Sequence, residues 1–290
     1  MFLCKEFNFE FKDDLVEPYF FKILMSKILY ENFRSDGRHS NNIRSITSRI
    51  VLHVNSCDDG YVCIEQGNTK VIAPIYGPHG LQKSRKLSMK NRHINMSDIS
   101  KHDAAIISYK YSKCPTANYN VVRRHGKKDD ISDLNADCVE SIMGKVIELH
   151  WNGESQNDIN ILLLHSDCSK LAVVTNAVSL ALMDAGICTK DLVTVTTVAL
   201  FDQTILADLN GFEENQSSLP SLTMVLLPNY PRNERFTRMF PNNIDHITQV
   251  NTLYVAAENV CETVYKELNK KIKHILMSRT KKEIKYHVTA

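Results

Sequence analysis

The sequence predicts an α+β fold, in which α-helices pack on mixed β-sheets and a long amphipathic helix closes the chain. Three observations carry this expectation. Alternating β-branched runs come first, two helical periodicities then alternate with further strand-like runs, and a single apolar stripe dominates the C-terminal region. At 290 residues the chain is long enough for one domain with a substantial core, or for two small ones. No Pro/Gly/Ser-rich linker or fixed-period repeat divides it.

Residues 43–54 alternate through Ile46, Ile50, Leu52 and Val54, as a strand does, and Asp58-Asp59-Gly60 signals a turn. Residues 61–65 return as a second strand. Gln66-Gly67-Asn68 turns again, and residues 70–76 complete a meander. Ser132 reads as an N-cap, followed by Leu134, Cys138, Ile142, Val146 and Leu149 at helical spacing. Residues 158–164 form a buried strand. A second helix over residues 169–185 is stopped by Gly186, and strands follow at 193–200, 204–209 and 222–227. Finally Ile247, Val250, Tyr254, Ala257, Cys261, Val264, Leu268 and Ile272 mark one face of a long helix. Residues 1–28 are expected to be an N-terminal extension, 29–278 the domain, and 279–290 a basic, solvated tail.

With 35 Lys and Arg against 33 Asp and Glu, overall charge announces no polyanion partner, so any anion-binding surface must come from local clusters. The apolar stretch Phe20-Phe21-Lys22-Ile23-Leu24-Met25 is too short to span a bilayer, and neither a membrane partner nor a secretion signal is expected. Eight scattered cysteines without zinc spacing read as reduced thiols of an intracellular protein.

Two groups of motifs carry a resemblance. The first is Phe33-Arg34-Ser35-Asp36-Gly37-Arg38, Ile43-Arg44, Gln66-Gly67-Asn68-Thr69-Lys70-Val71 and Tyr76-Gly77-Pro78. The second is Asn176-Ala177, Leu180-Ala181-Leu182-Met183-Asp184-Ala185-Gly186-Ile187, Lys190-Asp191-Leu192-Val193 and Ala207-Asp208-Leu209. In order and interval these resemble the RNase PH family from about residue 30 to 270. The likeness is greatest to the exosome ring subunit type that is catalytic in archaea and has a eukaryotic counterpart. The resemblance implies an RNase PH fold. It also implies a six-membered ring with other RNase-PH-like subunits, S1/KH-type cap subunits, single-stranded RNA as ligand, and work in the nucleus, nucleolus and cytoplasm.

Phosphorolysis needs an anion cradle for the attacking phosphate, a carboxylate as general acid or metal ligand, and a basic track for the RNA end. Active members of the family place a Thr-Arg or Ser-Arg pair at the start of the helix that precedes Asp184, where helix N–H groups favour an anion. Here that pair is Lys170-Leu171. Lys170 could act as a point charge but lacks the guanidinium fork. Asp208 keeps the family acid, or is only a turn-capping residue. A second family Asp becomes Glu214, a third becomes Ser221 or Leu222, and Glu213 and Glu214 read most simply as a solvated acidic edge. The site is therefore degenerate, and the resemblance implies an RNA-threading subunit that does not itself catalyse and needs no cofactor. The alternative is an active phosphate-dependent 3′–5′ exoribonuclease using Lys170, Asp208 and Glu214, with inorganic phosphate and Mg.

For RNA contact the resemblance points to Arg123, Arg124, Lys127 and Lys128, and to the pore-side cluster Lys83, Arg85 and Lys86, with Lys90 and Arg92 beyond it. The acids Asp129 and Asp130 offer a self-neutralised loop as the other reading. Arg38 and Arg44 read better as structural cations, paired with Asp36 or with carbonyls, than as RNA ligands. Tyr109, Tyr111 and Tyr119 are the aromatics nearest these loops.

Overall fold

A computed structural model describes residues 29–30, 33–50, 59–80, 106–114, 130–148, 155–167, 169–214, 219–231, 234–244 and 246–289. The chain divides into two units between Asn42 and Ile43. In the first, β1 (Leu29–Tyr30) pairs antiparallel with β2 (Phe33–Arg34). Asp36 there takes a side-chain hydrogen bond from Arg38 at 2.8 Å, across a turn at Gly37 where φ is 79°.

The second unit begins with β3 (Ile46–Ile50), β4 (Gly60–Gln66), β5 (Thr69–Gly80), β6 (Ile106–Lys113), α1 (Asp130–Val146), β7 (Ser155–His165) and α2 (Lys170–Asp184). It continues with β8 (Thr194–Phe201), β9 (Thr204–Ala207), α3 (Gly211–Glu214), β10 (Ser221–Leu226), β11 (Phe236–Asn242) and α4 (Ile247–Thr289). One sheet has the order β3-β4-β5-β7-β6, antiparallel except for the parallel β6–β7 pair. The other, β11-β10-β8-β9, is antiparallel throughout. The architecture is the expected mixed α+β one. No helix among the described residues is long and apolar enough to cross a membrane.

Helix α2 packs on β4 and β5 of one sheet and on β8 of the other, which is why it is apolar nearly all round. Its residues Ala172, Val173, Val174, Ala177, Val178, Leu180, Ala181 and Leu182 are all buried. Its buried polar residues each find a partner. The Asn176 amide donates to the Val195 carbonyl at 3.1 Å and accepts from the Val195 N–H at 2.8 Å, and Ser179 Oγ accepts from the Val193 N–H. Helix α4 covers β8 and β10 through Leu253, Ala257, Cys261, Val264 and Leu268.

Several elements differ from the sequence reading for local reasons. Helix α1 starts at Asp130, so Ser132 lies within its first turn instead of preceding the helix. Strand β11 contains Pro241, an obstacle to strand pairing in a central strand but tolerable here because β11 is a sheet edge. The apolar stripe of α4 becomes buried only from Leu253, and Ile247 is 81% exposed. Residues 279–289 continue α4 as helix. Tyr109 and Tyr111 pack against the core, and burial pushes the Tyr111 hydroxyl up to about 12. They are core residues, not exposed stacking platforms. Tyr119 lies outside the described residues.

Candidate functional site

Four chain segments meet where α2 begins: the lead into β3, the end of β4, Asp167 and the end of β9. Arg44 and Asp208 join them. The Arg44 guanidinium holds Asp208 with Nη2 to Oδ1 at 2.7 Å and Nε to Oδ2 at 3.0 Å. The Arg44 main-chain N–H adds a bond to Oδ2 at 2.8 Å, and Gln66 Nε2 donates to the same oxygen at 3.0 Å. Arg44 Nη1 also reaches the Asp167 carbonyl at 3.3 Å and lies 4.0 Å from its carboxylate.

Burial alone would raise the pKa of Asp208, which is 3% exposed, but the bonds and charge of Arg44, helped by Gln66, outweigh it. The carboxyl is therefore held below the usual carboxylate range. Gly67, at φ 56°, makes the arrangement possible, because a Cβ there would stand 2.6 Å from Arg44 Cδ.

The start of α2 is different in kind. Ser169 sits at φ 49° and ψ 36° and makes no side-chain cap bond, and the first turn carries no acid. Lys170 is half-buried, and half-buried Leu171 packs against the core. An aliphatic side chain at this place offers an anion neither donor nor charge. The nearby Asp167 carboxylate accepts from the Gly211 N–H at 3.2 Å and adds negative charge to the neighbourhood.

Glu213 and Glu214 do not form one solvated edge. Glu213 is fully buried and accepts from the Asn210 N–H at 2.9 Å, while Asn210 Oδ1 accepts from the Phe212 and Glu213 N–H groups. That is a capping box, and the spacing Asn210-Gly211-Phe212-Glu213 was the signal for it in the sequence. Glu214 is exposed and lines a cavity of about 290 Å³ with Thr197, Ser221, Thr223 and Asn242. Leu222 is buried in the core. Asp208, Lys170 and Leu171 are not among the residues that line this cavity.

Arg38 pairs with Asp36 in the first unit, and Arg44 with Asp208 in the second. Gln66 entered the sequence reading only as a turn and motif residue and Asp167 not at all, since neither pattern nor spacing distinguishes a glutamine that will face a carboxylate. Arg123, Arg124, Lys127, Lys128, Lys83, Arg85, Lys86, Lys90 and Arg92 lie outside the described residues. Among the described residues no group of three or more His, Cys, Asp and Glu could hold a metal ion.

Two sheets joined through one central helix, with a paired carboxylate beside the helix start, is the layout of an RNase-PH-type domain. Solved structures agree. An RNA-bound exosome from Archaeoglobus fulgidus superposes with a TM-score of 0.65 at 17% identity, covering 88% of this chain and all of that one. Rice Rrp46 also gives 0.65, at 18% identity over 82% of this chain and 99% of its own.

The family model described as "3' exoribonuclease family, domain 1" matches residues 42–188. The mouse exosome complex component RRP41 is 32% identical over 200 residues, which is 68% of this chain and 74% of the relative. A putative exosome complex component RRP41 from Caenorhabditis elegans is 32% identical over 242 residues, 83% of this chain and 92% of the relative. The chain belongs to the RNase PH family of 3′ exoribonucleases.

Proposed function

We propose that this chain is a ring subunit of an RNA exosome that handles single-stranded RNA during 3′–5′ processing and decay without catalysing phosphorolysis. Its likeness to RRP41 components supports the place in the ring, beside other RNase-PH-like subunits and beneath S1/KH-type caps. The same likeness supports work in the nucleus and cytoplasm.

The observation that carries the catalytic half of the proposal is the state of Asp208 beside Leu171. A general acid must hold a proton near neutral pH, and a metal ligand must have an oxygen to offer. Asp208 is held ionised by Arg44 and already accepts four hydrogen bonds from Arg44 and Gln66. The Arg44 guanidinium is committed to this pair, and Leu171 offers none to an attacking phosphate. A lost charge-assisted contact costs about 1.5–3 kcal/mol in binding. This role needs no cofactor.

The test is phosphorolysis itself. The purified chain, alone and reassembled with ring partners, is incubated with RNA and inorganic phosphate with and without Mg²⁺. No nucleoside diphosphate is expected. Nucleoside diphosphate release that disappears in both Lys170→Ala and Glu214→Gln variants would establish the active alternative.

A further inference from the structure

The antiparallel sheet β11-β10-β8-β9 has two unlike faces. Leu222, Met224 and Leu226 of β10 are buried in the core with Leu253 and Ala257 of α4. The alternate residues Ser221 and Thr223 point to the opposite face, as the two-residue period of a strand requires, and line the cavity that Glu214 borders. The register aligns Thr197, Thr223 and Phe240 across β8, β10 and β11, and sets Ser221 opposite Asn242 on the same face. The cavity therefore has a sheet floor made of hydroxyls, one amide and one ring.

Its charge is one-sided. Among the described residues the lining holds two acids and no Lys, Arg or His. Glu213 is spent on the Asn210 N–H, but Glu214 is exposed, and none of the ion pairs among the described residues involves it. The nearby cation Arg238 is committed elsewhere, bonding Ser141 Oγ and lying over the Phe240 ring 5.2 Å from its centroid. A phosphate would find no charge of opposite sign in this lining. A hydrated metal ion would lie against Leu209, Leu219, Phe240 and Pro241 with one unspent carboxylate to hold it.

We infer that this cavity binds a small aliphatic amine as its ammonium ion. An ammonium has three donors and no acceptor, which matches the Glu214 carboxylate, the Ser221 hydroxyl and the Asn242 carbonyl. The Thr197 and Thr223 hydroxyls, 2.9 Å apart, bond each other and still keep lone pairs to offer. A short alkyl stem suits the four apolar side chains of the same lining. At about 290 Å³ the cavity sits at the small end of ligand pockets, which begin at roughly 300 Å³, so the amine is a short one. The inference does not depend on what the chain does to RNA, because no RNA contact enters it.

The experiment follows the methyl NMR signals of Leu209 and Leu219 in the full chain as n-butylamine hydrochloride is added at constant ionic strength and near-neutral pH. Both signals should shift saturably, while those of Leu253 and Leu268, buried under α4, stay in place. Glu214→Gln should weaken the apparent affinity about two- to fivefold, the scale of an exposed charge pair. Glu214→Lys should abolish the shifts, because it supplies a tethered ammonium of its own. Glu267→Gln, which removes an acid of α4 paired with Lys270, should leave the titration unchanged. Circular dichroism confirms that each variant is folded, and Glu214→Gln carries the test if Glu214→Lys is not. Equal shifts with butan-1-ol overturn the inference in favour of a merely apolar hollow. Shifts of the same signals by Mg²⁺ alone, lost in Glu214→Gln, overturn it in favour of a metal site. Equal weakening by Glu214→Gln and Glu267→Gln reduces the amine to a diffuse counterion and overturns it, as does the absence of any shift in wild type.

Discussion

The two ends of α2 are built on opposite principles. At its C-terminal end the capping groups are tied into the fold. Asp184 accepts from the Tyr61 N–H at 3.0 Å, and Gly60 lets β4 approach so closely that a Cβ there would lie 2.7 Å from the Ala181 carbonyl. The helix closes with Ile187 N–H on Leu182 O and Gly186 N–H on Met183 O, with Gly186 at φ 71°, the pattern of a Schellman motif. At its N-terminal end Ser169 makes no side-chain cap, and Lys170-Leu171 stands where the sequence resemblance implies a phosphate-binding pair. The motif residues that hold the fold are kept at one end, while those that would do chemistry are replaced at the other. The proposed function thus rests on family membership and family activity being carried by different residues.

The sharpest way to test this contrast is to remove a residue that belongs to both lists. Asp208→Ala leaves the buried Arg44 charge uncompensated and should cost about 3–5 kcal/mol in urea unfolding. The effect of pH has a definite sign. The folded pKa of Asp208 lies below the unfolded value of about 3.9, so its contribution is complete above roughly pH 4 and is lost as pH falls through the folded value. Wild type should lose stability below pH 4 more steeply than Asp208→Asn. Equal acid sensitivity would place Asp208 in a solvent-facing role instead.

A smaller effect is expected at the tied end. Gly60→Val must displace the Ala181 carbonyl and Ala185, and should cost about 1–3 kcal/mol in the same measurement. At the open end, Leu171→Arg should change stability by no more than about 1 kcal/mol, since the side chain is only half-buried. Its signature lies elsewhere. Wild type should show no phosphate-dependent rise in Tm, whereas Leu171→Arg should gain one, worth about 1.4 kcal/mol at phosphate tenfold above Kd. A rise in wild type would break the comparison.

Much of the fold was legible because its signals are local. The turn at Gly67-Asn68, the stop at Gly186 and the periodicity of Ala257, Cys261, Val264 and Leu268 each follow from neighbours in sequence. Strand β6 was missed although Ile107, Tyr109 and Tyr111 alternate, and its parallel partner β7 is remote in sequence. The candidate site was legible only where a motif marked it. That Arg44 and Gln66 would both face Asp208 depends on bringing together residues well over a hundred positions apart, which no periodicity encodes. Glu213 was misjudged because an acid in a polar run looks solvated until its reciprocal bonds with Asn210 are known.

The burial of α2 between two sheets also bears on how the chain is made. The sheet of β3 to β7 is complete at His165, before the helix that covers β4 and β5 exists, and α2 in turn has a bare flank until β8 has been synthesised. A nascent chain ending near residue 188 would display that flank to whatever surrounds the ribosome, and neither half can reach its final packing before the other arrives. Two separate sheets thus become a single cooperative event in biogenesis, timed by the emergence of the second.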